Sequence, residues 1–343
     1  MKHYSGHILL LFTVSGIFLL GSSCHAQVDI LQCTDSTYCV PSVSGLPRSK
    51  GLSIEKESSL DQNIRAKSNG DVSSFQSVDQ NSRYAFKMKV PVLNKEHFKL
   101  VLSGGYSQEK FEFKDADQLE EPLFLTLQDR PLRTLSLGTY IVKPFLNNKY
   151  LLTRVQARLN GDFDSKNLGY SEFLRINAVA VYGWKLDDHR IFAIGGAFSH
   201  LFGRASILPV VLYYHNFNSQ WGLEANLPGN FRMRYTPNQH NVFYGGMALS
   251  GANYRLDALS NAAPFFLEKS ELRTAVTYEH EIHDWLWVGL SLGHRHQLSF
   301  DVSSINGLTR KPGDSILQSE VESTFFYNLS IFIVPPRKML NMK

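Results

Sequence analysis

Residues 151–160 read LLTRVQARLN, and their polarity alternates with a period of two. Leu151, Thr153, Val155, Ala157 and Leu159 share one face; Leu152, Arg154, Gln156, Arg158 and Asn160 share the other. Successive side chains of a strand point to opposite faces, so this segment has a greasy side and a wet side. The pattern recurs. Leu174, Ile176, Ala178, Ala180, Tyr182 and Trp184 stand opposite Arg175 and Asn177. Leu272, Thr274, Val276, Tyr278 and Ile282 stand opposite Glu271, Arg273, Thr277, Glu279 and Glu281. Tyr84, Phe86, Met88, Val90 and Val92 stand opposite Arg83, Lys87 and Lys89, and Phe325 to Ile333 closes the set. Ile207 to Tyr214 departs from it. That stretch is apolar on both faces and contains Pro209, which suggests an edge, a bulge or a ligand-facing patch. After the N-terminal leader no apolar run approaches the length of a membrane-spanning helix.

Alternation alone also suits a soluble sandwich or a ligand-holding cup. The connections favour a membrane. Short turns at Asn94-Lys95-Glu96, Asn147-Asn148-Lys149, Asp187-Asp188 and His283-Asp284 alternate with long polar links at 107–130, 161–171, 252–270 and 301–319. Outer-membrane barrels show this rhythm of short periplasmic turns and long external loops. Phe145, Tyr150, Trp184, Trp285 and Trp287 lie within a few residues of the short turns, where an interfacial aromatic girdle is expected. The pattern therefore predicts an all-β, antiparallel transmembrane β-barrel over residues 50–334. Strands near 50–58, 81–92, 97–107, 132–145, 148–160, 172–185, 189–201, 205–215, 220–227, 230–236, 241–251, 271–283, 286–300 and 320–334 total about 14, or about 12 if one weak hairpin is lost. An even count returns both ends to the periplasm.

The bulk composition agrees. Lys and Arg total 35 against 31 Asp and Glu, a net charge of +4, with no clustered basic footprint for nucleic acid. Fifteen Tyr and 23 Phe with 19% charged residues argue against disorder.

Residues 1–26 have the build of a signal peptide: Lys2, an apolar core from Ile8 to Leu20, then small residues up to Ala26, with cleavage expected before Gln27. Cys24 admits a second reading as a lipid-attachment site, although Gly21 stands where Leu is usual. If cleavage follows Ala26, Cys33 and Cys39 remain. Such a pair in an exported chain is expected to be oxidised, and two free thiols in a tail is the alternative. Residues 27–49, with Pro41, Ser44, Gly45 and Pro47, read as a periplasmic lead-in, and residues 335–343 as a tail.

The Ala26-Gln27 junction, the alternation, and Trp221-Gly222-Leu223-Glu224-Ala225-Asn226-Leu227-Pro228 followed by Arg232 to Thr236 resemble an uncharacterised family of outer-membrane β-barrel proteins, a domain of unknown function, from Bacteroidetes-type bacteria. The resemblance implies architecture and a place in the bacterial outer membrane among its lipids, inserted by the barrel insertion machinery. It implies no activity. Many such barrels end on an aromatic residue, whereas this chain continues nine residues past Val334.

Candidate chemistry is sparse. His280-Glu281-Ile282-His283 is one residue short of the helical zinc motif, and on a strand its two histidines diverge. His294 and His296 share a face but supply only half a tetrahedral site. Ser199-His200 has no orienting partner in view, and Asp187-Asp188 suits a tight turn. No catalytic set, metal site or cofactor is expected. The expected inward charges are Arg83, Lys87, Lys89, Arg154, Arg158, Arg175 and Arg273, offset by Glu279 and Glu281. They either bias a lumen toward anions or fill it with salt bridges. A narrow pore or transporter for small solutes is the leading expectation. A structural or partner-binding barrel acting through its loops is the alternative, and an enzyme acting on lipid comes last.

Overall fold

The computed structural model describes residue 43 and residues 45–68, 71–163, 170–257, 264–304 and 315–340. The leader, Cys24, Cys33 and Cys39 lie outside the described residues. The strands are β1 (Leu52–Ser68), β2 (Asp71–Lys95), β3 (Phe98–Phe113), β4 (Leu132–Pro144), β5 (Lys149–Gly161), β6 (Leu174–Lys185), β7 (Arg190–Ser199), β8 (Ser206–Asn216), β9 (Trp221–Leu227), β10 (Asn230–Asn238), β11 (Asn241–Leu256), β12 (Phe265–His283), β13 (Leu286–Ser303), β14 (Leu317–Val321) and β15 (Thr324–Ile333).

Neighbours in sequence pair antiparallel, and the ring closes where β15 lies between β13 and β1, with Leu52 opposite Ile333 and Ser59 opposite Phe326. β14 continues the line of β15 between the same two neighbours, Ile64 facing Val321 and Val302 facing Leu317. The two segments are halves of one stave, so the barrel has 14. Closure leaves each full-height stave paired on both sides.

The greasy rows face outward. Leu137, Ile194, Val276, Leu292, Phe325 and Ile331 are all exposed, on strands distributed around the ring. A soluble barrel of this kind would hide those rows. An apolar belt around a closed barrel is the surface that meets lipid.

The wall is uneven in height. A membrane-crossing strand takes about 9–11 residues. β2 has 25, β12 has 19 and β13 has 18, whereas β9 has seven. The surplus stands on the long-loop side. Several spans outside the expected strands are therefore strand: 59–68 and 71–80 form one hairpin, the link at 107–130 loses its start to β3, and those at 252–270 and 301–319 shrink at both ends. Their sequence hid this because above the bilayer the pattern inverts. Ile64, Val78, Phe111, Leu256, Phe300 and Val302 point inward there and pack on one another.

At β9–β10 the rim dips. β8 pairs with β9 only from Val211 to Asn216, so Ser206–Val210, Pro209 included, overhangs the hairpin. Ile207–Tyr214 thus belongs to an interior stave whose upper end is an edge. β11 pairs with β10 only up to Ala248 and then crosses to β5, where Arg255 bridges Gly161 in parallel. The outer side of upper β11 and β12 is consequently covered. Asn253 Oδ1 accepts a 3.0 Å bond from Arg175, and Ser270 donates to the Leu201 carbonyl at 3.1 Å. A side chain at Gly251 would collide with the Leu201 backbone.

Candidate functional site

The barrel interior is stacked in three zones. The upper one is apolar. The β3–β4 connection turns inward as helix α1 (Pro122–Asp129), which starts with proline in its first turn, where a missing amide hydrogen costs nothing. Leu123, Phe124 and Leu127 are fully buried among the inverted wall residues, and the Phe124 ring lies 5.4 Å from that of Phe113. The side-chain oxygen of Gln128 accepts the Phe113 amide hydrogen at 2.9 Å, which ties the helix to the wall.

The middle zone is ionic. Arg295, 3% exposed, stands 3.7 Å from Glu57, 3.8 Å from Glu109 and 3.9 Å from Glu271. It also donates to Ser59 at 2.7 Å and to Asn81 at 2.8 Å. Lys269 pairs with Glu109, and Arg273 pairs with Glu271 and, at 3.1 Å, with Glu57. Arg83 is 3.8 Å from Glu271, and Lys87 is 2.8 Å from Glu55. Buried charges are tolerable only when paired in this way.

A cavity of about 350 Å³ adjoins this cluster, bounded by β2–β5, β11 and β12. Arg83, Lys87, Lys89, Arg154, Arg158 and Arg273 all line it, together with Lys269, Glu109 and Glu271. Its volume lies within the usual range for small-ligand sites.

The lower zone, at the short-turn end, is again ionic. Glu224 accepts from Arg232 at 2.8 Å and from Arg234 at 3.2 Å, and Arg234 reaches Asn216 at 2.5 Å. Below them Lys50 meets Glu279 at 2.5 Å. Arg48 and Arg337 grip Glu281 at 3.3 and 2.5 Å and Asp284 at 3.0 and 2.8 Å. The lead-in and the tail are thereby tied to the β12–β13 turn. Desolvation alone would raise the Asp284 carboxyl. The Arg337 backbone hydrogen bond and the charges of Arg48 and Arg337 outweigh it and hold the group below its ordinary range.

The expected residues are thus divided. Six of the seven expected inward cations line the cavity, but Arg175 lies apart, on Asn253 and over the Phe266 ring. Glu279 and Glu281 belong to the lower closure rather than to the cavity. Two residues assigned to the girdle are interior. Tyr150, 2% exposed, packs with Val181, Ala193 and Val210, and Trp287 stacks on Phe332 at 6.1 Å. Both sit near a short turn but in the inward phase of their strands, and phase decides the face. Trp184 stacks on Phe192, Phe145 lies 6.2 Å from Tyr182, and Trp285 is exposed beside His283.

Glu224, Arg232 and Arg234 lie outside the expected lumenal set, although Arg-Met-Arg opposite one Glu marks a cross-strand pair. The histidines remain separate: His280 bonds Asn241 at 2.9 Å, His294 packs edge-on to Phe325, His296 meets Ser323 at 2.7 Å, and the His200 ring meets Asn177 at 3.2 Å. Among the described residues no group of three potential metal ligands converges.

No curated protein matches the chain. Solved barrels are similar in outline. The COG4313 outer membrane channel from Pseudomonas putida F1 is 12% identical, with 88% of this chain and 99% of that one covered and a TM-score of 0.43. A Pseudomonas aeruginosa FadL homologue is 9% identical, with 87% and 100% covered and a TM-score of 0.39. The Pseudomonas putida toluene transporter TodX is 9% identical, with 83% and 89% covered and a TM-score of 0.33. No residue role passes from these barrels to this chain. The match that identifies it runs over residues 55–326, from the first stave to the last: the chain belongs to the DUF6268 family, a domain of unknown function.

Proposed function

We propose that the chain is exported by a leader cleaved after Ala26, inserts into the outer membrane of a bacterium of Bacteroidetes type, and serves there as a gated conduit for a small solute. One observation carries this reading: the cavity lies between two built seals, α1 in its apolar collar at one end and the Arg48, Arg337, Trp287 and Phe332 closure at the other. A purely structural barrel has no need of a vestibule between closures. Trp184, Trp285 and Phe145 mark the periplasmic lipid boundary in this reading.

Conductance in planar bilayers tests it. The wild-type barrel should be nearly closed at rest, and Phe124→Asp, which places a charge in the apolar collar, should raise its conductance severalfold. If neither form conducts and neither passes solute into vesicles, a barrel that binds partners through its loops becomes the better reading.

A further inference from the structure

The ionic cluster pairs most of the lumenal cations, but not all of them. Lys89 on β2 and Arg154 and Arg158 on β5 line the cavity, and among the described residues none has a carboxylate within 4.0 Å. Their partners are neutral. Gln156 lies between the two arginines in sequence and turns to the same face, and its Oε1 accepts from Arg154 Nη2 at 3.0 Å and from Arg158 Nε at 3.0 Å. The Tyr140 ring lies 4.9 Å from the Arg154 guanidinium carbon and 5.5 Å from Lys89 Nζ. Among the described residues, buried Arg154 Nε has no hydrogen-bond partner, and neither has the hydroxyl of Ser103, which also lines the cavity.

One amide oxygen and one aromatic face are thus shared among three positive charges. Lys89 is exposed to the lumen and the two arginines are half-buried, so water screens their mutual repulsion only in part. The carboxylates that would complete the pairing have gone instead to Arg273, Arg295, Lys269 and Lys87. The residual charge is concentrated on the side of the cavity formed by β2–β5.

We propose that this cavity binds a small organic oxyanion. Its acid group sits among Lys89, Arg154 and Arg158, where planar guanidinium forks match a carboxylate or a phosphate. Its body lies along Tyr140 and Tyr254, which line the same space. The site requires only the folded barrel and is independent of whether the barrel conducts.

Titration calorimetry on the full-length barrel in detergent tests this, with benzoate, phenyl phosphate and neutral benzamide as probes. Saturable binding of benzoate or phenyl phosphate, and none of benzamide, is expected, with the tighter probe naming the acid group. Lys89→Gln with Arg154→Gln should weaken that binding by about tenfold or more, a loss of about 1.4 kcal/mol. Should that variant not fold, Gln156→Glu serves, because it installs a counter-charge between the two arginines. It should fold, as judged by heat-modifiable gel migration, and should lose anion binding. Absence of saturable binding to the wild-type barrel would overturn the proposal, as would undiminished affinity in Gln156→Glu.

Discussion

Arg255 on β11 bridges Gly161 on β5 in parallel, across five intervening strands. This contact closes a second, narrower ring above the first and leaves β6–β10 as an outer wall on one side.

Gly161 is where that ring is most sensitive. A β-carbon there would collide with the Arg255 carbonyl and the Phe173 ring. Gly161→Val should cost about 1–3 kcal/mol through overpacking. The temperature at which heat-modifiable migration is lost should fall.

Phe124 supplies the centre of the upper seal and is completely buried. Phe124→Ala should destabilise the collar by about 3–5 kcal/mol. Denaturant unfolding followed by gel migration would measure that loss, and emission from Trp287, read in a variant with Trp184, Trp221 and Trp285 replaced by Phe, should shift little at low denaturant.

Arg295 holds three carboxylates apart. Arg295→Met removes one partner from a buried network and should cost about 3–5 kcal/mol. Pairing it with Glu57→Gln should recover part of the loss, and a double-mutant cycle reads that coupling.

The lower closure should respond to acid. Asp284 is held below its ordinary value in the folded barrel, so its contribution is fully present above the unfolded carboxylate value of about 4 and is lost as pH falls through the lowered folded value. Asp284→Asn should remove that part of the acid dependence. Stability profiles of both forms between neutral pH and about pH 3 would show it as a flatter acid limb.

The architecture was legible wherever one face met lipid and the other met a wet lumen. Leu151–Asn160 displays both, and β5 occupies that position with Arg154 and Arg158 inward. Legibility ended where the environment changed. Ile64, Phe111 and Val302 point inward into an apolar plug, so the expected polarity of the inner row reverses and the strand extensions look like loops. Tyr150 and Trp287 lie close to short turns, as girdle residues do, but strand phase turns them inward; Leu152 and Arg154, two and four residues on, share the phase of Tyr150. The helix did leave a trace. Pro122 followed by Leu123, Phe124 and Leu127 is an N-terminal signal with a buried stripe, lying inside a link that otherwise reads as polar. The division of the cations was not legible at all, because it depends on which carboxylates of β1, β3 and β12 reach across the lumen.

The dip in the rim carries a hazard of its own. An unpaired strand edge is a template on which a neighbouring chain can add itself, and in a crowded membrane such neighbours are always at hand. Pro209, which has no amide hydrogen to offer, sits in the overhanging end of β8, and upper β11 withdraws its free edge by crossing to β5. The low side of this barrel is thus made unattractive to stray strands, so the molecule keeps an asymmetric profile without becoming a seed for aggregation.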